Sequence, residues 1–236
     1  MNILVIVAHP DDEVLGMGGT ILKHAKKKDK VTVAYLTTGI TSRRSTNYEN
    51  TSKYEIEKKQ KNELKKQILE LQSDAKKVCK LLDVKKVKFY DFPDNELDTI
   101  PLLKIIKTIE ELIMQVKPER IYTSHFGDLN VDHRIVYESV LTAIRPSGIK
   151  VKELLCFELL SSTEWSFSYN FKPNYFIDIE NELVKKISAM KLYKNEIRKY
   201  PHPRSIDGIK HTAKKWGAVS GFNAAEAFQL IRKFEK

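Results

Sequence analysis

A chain of 236 residues, 42% hydrophobic and 31% charged, is long enough to bury one sizeable core and too apolar to be disordered. Its net charge of +10 comes largely from lysine-rich stretches such as 57–80, where Lys alternates with Glu as on a solvated helix face. With no binding motif and no interleaving of basic and aromatic residues, nucleic acid is not an expected partner. No apolar run nears the roughly 20 residues that span a bilayer, and no leader precedes the first strand, so a cytoplasmic protein without an integral membrane segment is expected. Cys79 and Cys156 stand apart in apolar contexts, as buried free thiols do.

Residues 2–8 form an unbroken apolar run, which predicts a parallel strand buried on both faces. His9-Pro-Asp11-Asp12-Glu13 follows at once, and a helix is predicted over 14–28, with Gly16, Gly18 and Gly19 marking a close approach of its backbone to something. This is not the spacing of a dinucleotide fingerprint. A second strand is predicted at 31–37, then a loop holding the adjacent Arg43 and Arg44, and a long charged helix from about 54 to 82. A third strand at 84–90 leads into the polar loop around Asp94 and Asn95. A helix at 101–116 and a strand at 120–123 precede a second polar concentration, Ser124-His125 to Asp132-His133-Arg134, inside which a helix to about 144 begins. Strand–helix alternation to 145 predicts a Rossmann-like three-layer α/β/α fold with a mostly parallel sheet. The remainder, 146–236, reads as an irregular portion of the same single domain. Strands are expected at 153–159 and 175–179, a helix at 183–195, a short helix after the two-proline loop around His202, a loop at 217–221 and a helix at 224–234.

Both polar clusters fall at the carboxyl ends of parallel strands, where open α/β sheets bind ligands. An imidazole and three carboxylates packed together require a cation or a proton between them. Capping of the following helix would use one side chain, not four. His9, Asp12 and His133 offer two nitrogens and one oxygen, a donor set that suits catalytic Zn²⁺ with an open fourth position. Asp11 is free to accept a proton from water, and Asp132 is placed to orient an imidazole. Arg43 and Arg44 are candidates to hold an anionic or hydroxyl-rich substrate. The rival of another class is a nucleotide-binding α/β module whose carboxylates hold Mg²⁺, which the imidazoles disfavour.

These motifs resemble the PIG-L/LmbE-like deacetylases: Ala8-His-Pro-Asp-Asp-Glu13, the downstream Asp132-His133, and later Phe171-Lys-Pro-Asn174, Tyr200-Pro-His-Pro-Arg-Ser205 and Ala225-Glu-Ala-Phe228. The resemblance covers nearly the whole chain. It implies zinc-dependent removal of an N-acyl group, usually acetyl, from an amino sugar or nucleotide-sugar conjugate, with metal on His9, Asp12 and His133, and Asp11 as base. It also implies that the carboxyl-terminal portion shapes the sugar pocket, and it leaves room for a homo-oligomer. An amidase acting on another N-acyl conjugate would use the same site. One position departs from the pattern. Many members carry His-Pro-Asp-His where this chain has Asn130-Val-Asp132-His133, and Asn is no general acid. Asn130 is then expected to donate to an oxyanion, and the leaving group must be protonated by His125, His202 or Asp11 itself. Arg44, Asp94, His202 and Arg204 are expected to contact the substrate.

Overall fold

The computed structural model describes residues 1–45, 47–49, 51–146 and 150–235. Strand β1 (Asn2–Val7) lies inside the sheet because its side chains are apolar on both faces. Ile3, Val5 and Val7 enter one hydrophobic cluster, Leu4 and Ile6 the other, and all five are wholly buried. The chain continues through α1 (Asp12–Lys26), β2 (Lys30–Thr37), α2 (Lys58–Leu81), β3 (Lys86–Phe92), α3 (Leu102–Val116), β4 (Arg120–Ser124), α4 (Val131–Ala143) and β5 (Glu153–Phe157). It ends with β6 (Tyr175–Asp178), α5 (Leu183–Met190), α6 (Ile206–Ser220) and β7 (Ala225–Lys233). The seven strands run in the order β3-β2-β1-β4-β5-β7-β6, parallel except β7, which is antiparallel to both neighbours. The direction of winding reverses between β1 and β4, so the crevice at their carboxyl ends is the switch point of the sheet.

The first 145 residues follow the expected alternation, and the carboxyl-terminal portion corrects it in three places. Residues 224–234, expected as a helix, are strand β7. Ala, Glu, Gln and Leu favour a helix, but pairing with β5 and β6 overrides that preference. Ala225 and Ala227 pack beneath Trp216, while Glu226 and Phe228 point toward α1 and the main core. The expected loop at 217–221 is the end of the 15-residue α6, closed by Gly221 at φ +77°. The helix expected at 183–195 stops at Met190.

Helix α1 explains the glycines. Met17 has non-helical angles (φ −150°, ψ 24°), so the helix is two short pieces. The break frees the N–H groups of Gly19 and Thr20, which donate to the Glu226 carboxylate at 2.9 and 2.6 Å. Lys186 Nζ closes the other side, donating to Leu15 O at 3.0 Å and Glu226 Oε1 at 2.6 Å. A Cβ on Gly16 would lie 2.1 Å from the Phe157 ring. What approaches this backbone is the carboxyl-terminal portion of the chain.

Candidate active site

The turn from β1 and the first turn of α1 carry His9 to Glu13, and the loop after β4 and the first turn of α4 carry His125 to His133, so the switch-point crevice is walled by both polar clusters. Asp11 sits at the joint with φ +118°, a left-handed conformation that a non-glycine residue holds only when its surroundings enforce it. Asp11 N donates to Glu13 Oε2 at 3.1 Å, and Tyr193 Oη donates to Glu13 Oε1 at 2.7 Å. The wholly buried Glu13 thus braces the turn from beneath.

His9, Asp12 and His133 converge. His9 Nδ1 lies 3.1 Å from His133 Nε2, and Asp12 Oδ2 lies 3.5 and 3.3 Å from the same two atoms. Tetrahedral ligands at about 2.0–2.1 Å from Zn²⁺ stand about 3.3 Å from one another, so the triangle fits such an ion without rearrangement. Asp12 Oδ2 also accepts from His9 N at 2.9 Å, and the second oxygen of the same carboxylate, Oδ1, is buried with no hydrogen-bond partner, a free acceptor that a cation on this carboxylate would satisfy.

The opposite nitrogen of each imidazole is held. His9 Nε2 lies 3.1 Å from Asp94 Oδ1 and 3.2 Å from Asp132 Oδ2, and His133 Nδ1 lies 2.9 Å from Asp128 Oδ1. These carboxylates place the ring proton on the outward nitrogen and leave the inward one free to ligate. Asp132 therefore orients His9, not the neighbouring His133, and it does not face the cleft. Its oxygens accept from Asn95 N (2.7 Å) and Leu97 N (3.1 Å). Asp94 Oδ2 accepts from Ser42 N at 2.8 Å. His9, Asp94 and Asp132 also lie close enough to hold an ion, but with these backbone donors already in place they serve as the support of His9. Asp128, absent from the sequence-based set of site residues, is fixed by the hydroxyls of Ser162 (2.9 Å) and Thr163 (2.5 Å).

Without a cation this is a knot of acids and imidazoles. Burial lowers the His9 pKa, but Asp12, Asp132 and Asp94 together hold it well above its ordinary value. Burial likewise opposes the charge on His133, and Asp12 and Asp128 outweigh it, bringing its pKa to about 9. Burial works against ionised Asp12 too, yet the two imidazoles keep it far below the carboxylate range. Asp11 is lifted to about 8, chiefly by burial, with the Arg204 guanidinium pulling the other way.

Asp11 and Arg204 share a cleft of about 190 Å³ with His9, Asp94, Asn130 and Arg43. Arg204 donates to Asp11 Oδ2 at 2.9 Å and lies 3.8 Å from Glu196, which pairs with Arg43 at 2.6–2.7 Å through both its oxygens. Arg43, not Arg44, reaches this wall. Arg44 turns away to Glu96 and Thr41 O and packs over Tyr54, because its own left-handed backbone (φ +54°) redirects the side chain. Asn130 caps α4. Its Oδ1 accepts from Asp132 N at 2.8 Å, and its Nδ2 donates to Asn95 Oδ1 at 2.7 Å, leaving one amide proton. Neither expected histidine acid lines the cleft. His125 is wholly buried against Phe126 and Phe171 with Nδ1 accepting from Gly127 N, and His202 packs on Trp165 and accepts from Arg204 N at 3.0 Å.

Residues 4–144 match the family profile described as PIG-L, GlcNAc-PI de-N-acetylase. The chain is 27% identical over 240 residues to diacetylchitobiose deacetylase of Thermococcus kodakarensis, an alignment covering 98% of this chain and 83% of that protein. The solved structure of N,N'-diacetylchitobiose deacetylase from Pyrococcus horikoshii superposes with a TM-score of 0.76 at 18% identity, over 97% of this chain and 83% of that one. GalB, the 4-carboxy-2-hydroxymuconate hydratase of Pseudomonas putida KT2440, superposes with a TM-score of 0.76 at 18% identity, over 100% and 98%. The fold is therefore shared by enzymes of different reactions, and the chemistry has to be argued from the residues.

Proposed function

Because the chain belongs to the PIG-L family of GlcNAc-PI de-N-acetylases, we propose that it hydrolyses the N-acetyl amide of an amino-sugar conjugate, using Zn²⁺ on His9, Asp12 and His133. The observation that carries this reading is the placement of Asp11, which follows Pro10 after the ligand His9, precedes the ligand Asp12, and lines the same cleft as His9. A divalent ion held there supplies Lewis-acid chemistry, polarising the amide carbonyl and making water more acidic. Asp11 accepts the proton of the attacking water, and Arg204 holds its carboxylate through Oδ2. The remaining amide proton of Asn130 is available to the developing oxyanion. When the C–N bond breaks, the amine takes its proton back from Asp11. Among the described residues lining the cleft the only histidine is His9, already assigned to the ion. Arg43 and Arg204 border the sugar. The setting we infer is cytoplasmic glycan biosynthesis in a bacterium, in keeping with the absence of a membrane-spanning helix among the described residues.

The test is acetate release from free, oligomeric, nucleotide-linked and lipid-linked N-acetylglucosamine, with and without chelator. Asp11→Asn is expected to keep its metal and lose at least about 10³-fold in kcat, whereas His133→Ala loses the metal. No acetate from any substrate with metal-loaded protein would sink the proposal.

A further inference from the structure

The segment after β5 runs beside the cleft with its rings in solvent. Trp165, Phe167 and Tyr169 are 46%, 94% and 55% exposed, next to Leu129 at 53% on the loop before α4. The segment is tied to the site at several points. Arg204 Nε donates to Leu160 O (3.3 Å) and Ser161 Oγ (3.1 Å). Ser162 and Thr163 hold Asp128 behind His133, and Leu129 N donates to Ser162 O at 3.2 Å. Trp165 stands edge-on to His202 at 5.3 Å, two residues before Arg204. Ser161 adopts φ +79°, a left-handed conformation that a non-glycine residue holds only when its surroundings enforce it. The segment is therefore anchored beside Arg204, which lines the cleft, through Leu160, Ser161 and the Trp165–His202 contact.

That cleft, at about 190 Å³, is smaller than the roughly 300–1,000 Å³ of typical ligand sites. It takes one sugar ring and leaves whatever is attached to that ring lying on the rim. There the sequence Trp165-Ser-Phe167-Ser-Tyr169-Asn alternates a flat ring with a small polar side chain. A pyranose has the matching chemistry: a C–H face that packs on an aromatic ring, and hydroxyls that bond to Ser and Asn. A membrane surface fits less well. The only charged residue in 161–171 is Glu164, whereas anionic lipid attracts basic clusters, and Ser166, Ser168 and Asn170 would lose their water.

We infer that Trp165, with Phe167 and Tyr169, is a stacking platform for a second sugar ring, so that the substrate is a saccharide longer than one N-acetylhexosamine. This rests on the deacetylase reading above, and two measurements separate the two. The first is kcat/KM for acetate release from N-acetylglucosamine and its β-1,4-linked dimer and tetramer. Metal-loaded protein should favour the longer substrates roughly ten-fold, the size expected when an apolar C–H face covers one aromatic ring. Trp165→Ala should remove that preference through KM, and Trp165→Phe should restore part of it. The second is intrinsic fluorescence. The chain has two tryptophans, and Trp216 is buried while Trp165 is exposed. Titration with the fully deacetylated tetramer should shift the emission of the native protein and not that of Trp165→Ala. A shift without acetate release supports the platform and removes the deacetylase reading. Acetate release with neither a shift nor a length preference removes the platform. So does binding to phosphatidylglycerol vesicles that Phe167→Ala abolishes, or a change in mass by light scattering in Trp165→Ala.

Discussion

Each histidine in the candidate metal triangle has two nitrogens, and the outer one decides whether the inner one is available. Asp128 fixes His133 through Nδ1, so Asp128→Asn should weaken Zn²⁺ binding by about 10–100-fold, measured by competition with a chelating dye, with the fold intact. His9, Asp12 and His133 were legible in the sequence because each sits in a short polar string directly after an apolar strand. Asp128 was not. It stands five residues before His133, and its role exists only because the loop doubles back and 162–163 reach it. Glu13 yields a prediction with a sign. Burial raises its pKa to about 7, against an ordinary 4.5, with the Tyr193 and backbone hydrogen bonds opposing. The folded state thus holds the proton more tightly than the unfolded one. That contribution is complete below pH 4.5 and is lost as pH rises through 7, about 3 kcal/mol by pH 8. Glu13→Gln can keep both partners, accepting from Asp11 N and donating to Tyr193 Oη. In metal-free denaturant titrations its stability relative to the native chain should therefore rise by about 3 kcal/mol between pH 4.5 and 8. A parallel pH dependence of the two proteins would contradict this assignment.

Among the elements, α1 bears the most constraint, since it starts at Asp11, the proposed base, and is broken at Met17. The buried pair Lys186–Glu226 joins the two halves, Lys186 on a freed carbonyl and Glu226 on two freed N–H groups. Removing one partner leaves a buried charge alone, so Lys186→Met should cost about 3–5 kcal/mol. Glu226→Gln in the same chain should recover part of it, because the lone buried charge is gone while the amide oxygen still accepts from one of the two N–H groups; thermal denaturation of both variants reads the difference. If the double variant is no more stable than Lys186→Met, the charge is not what the pair contributes. The glycines that announce this close approach were legible; the elements approaching them were not. Residues 224–234 read locally as a helix, and only partners some 50–80 positions earlier in the chain make them a strand. The amino-terminal alternation needed no such distant information, as each strand and helix there carries its own periodicity.

At the scale of the whole molecule, the site draws on residue 9 and residue 133 at once, so an ion bound there ties the two walls of the crevice together. Zn²⁺ at about 100 times its Kd should add about 2.7 kcal/mol to stability and raise Tm by about 5–10 °C, reversed by chelator. A Tm indifferent to Zn²⁺, Co²⁺ and Mn²⁺ would mean that the triangle does not hold a metal. The positive charge takes its meaning at this scale too. β3 is an edge of the sheet and presents unpaired backbone groups along one side. Lys86 and Lys88 stand exposed on it, with the exposed Lys85 just before them, while Val87, Phe89 and Tyr90 are half-buried. Lysines on an edge keep a second copy from adding a strand. The basic character that the composition offers to a nucleic acid is, along this edge, a colloidal safeguard. Acetylating those lysines or screening them with concentrated salt should make copies of the chain self-associate through β3.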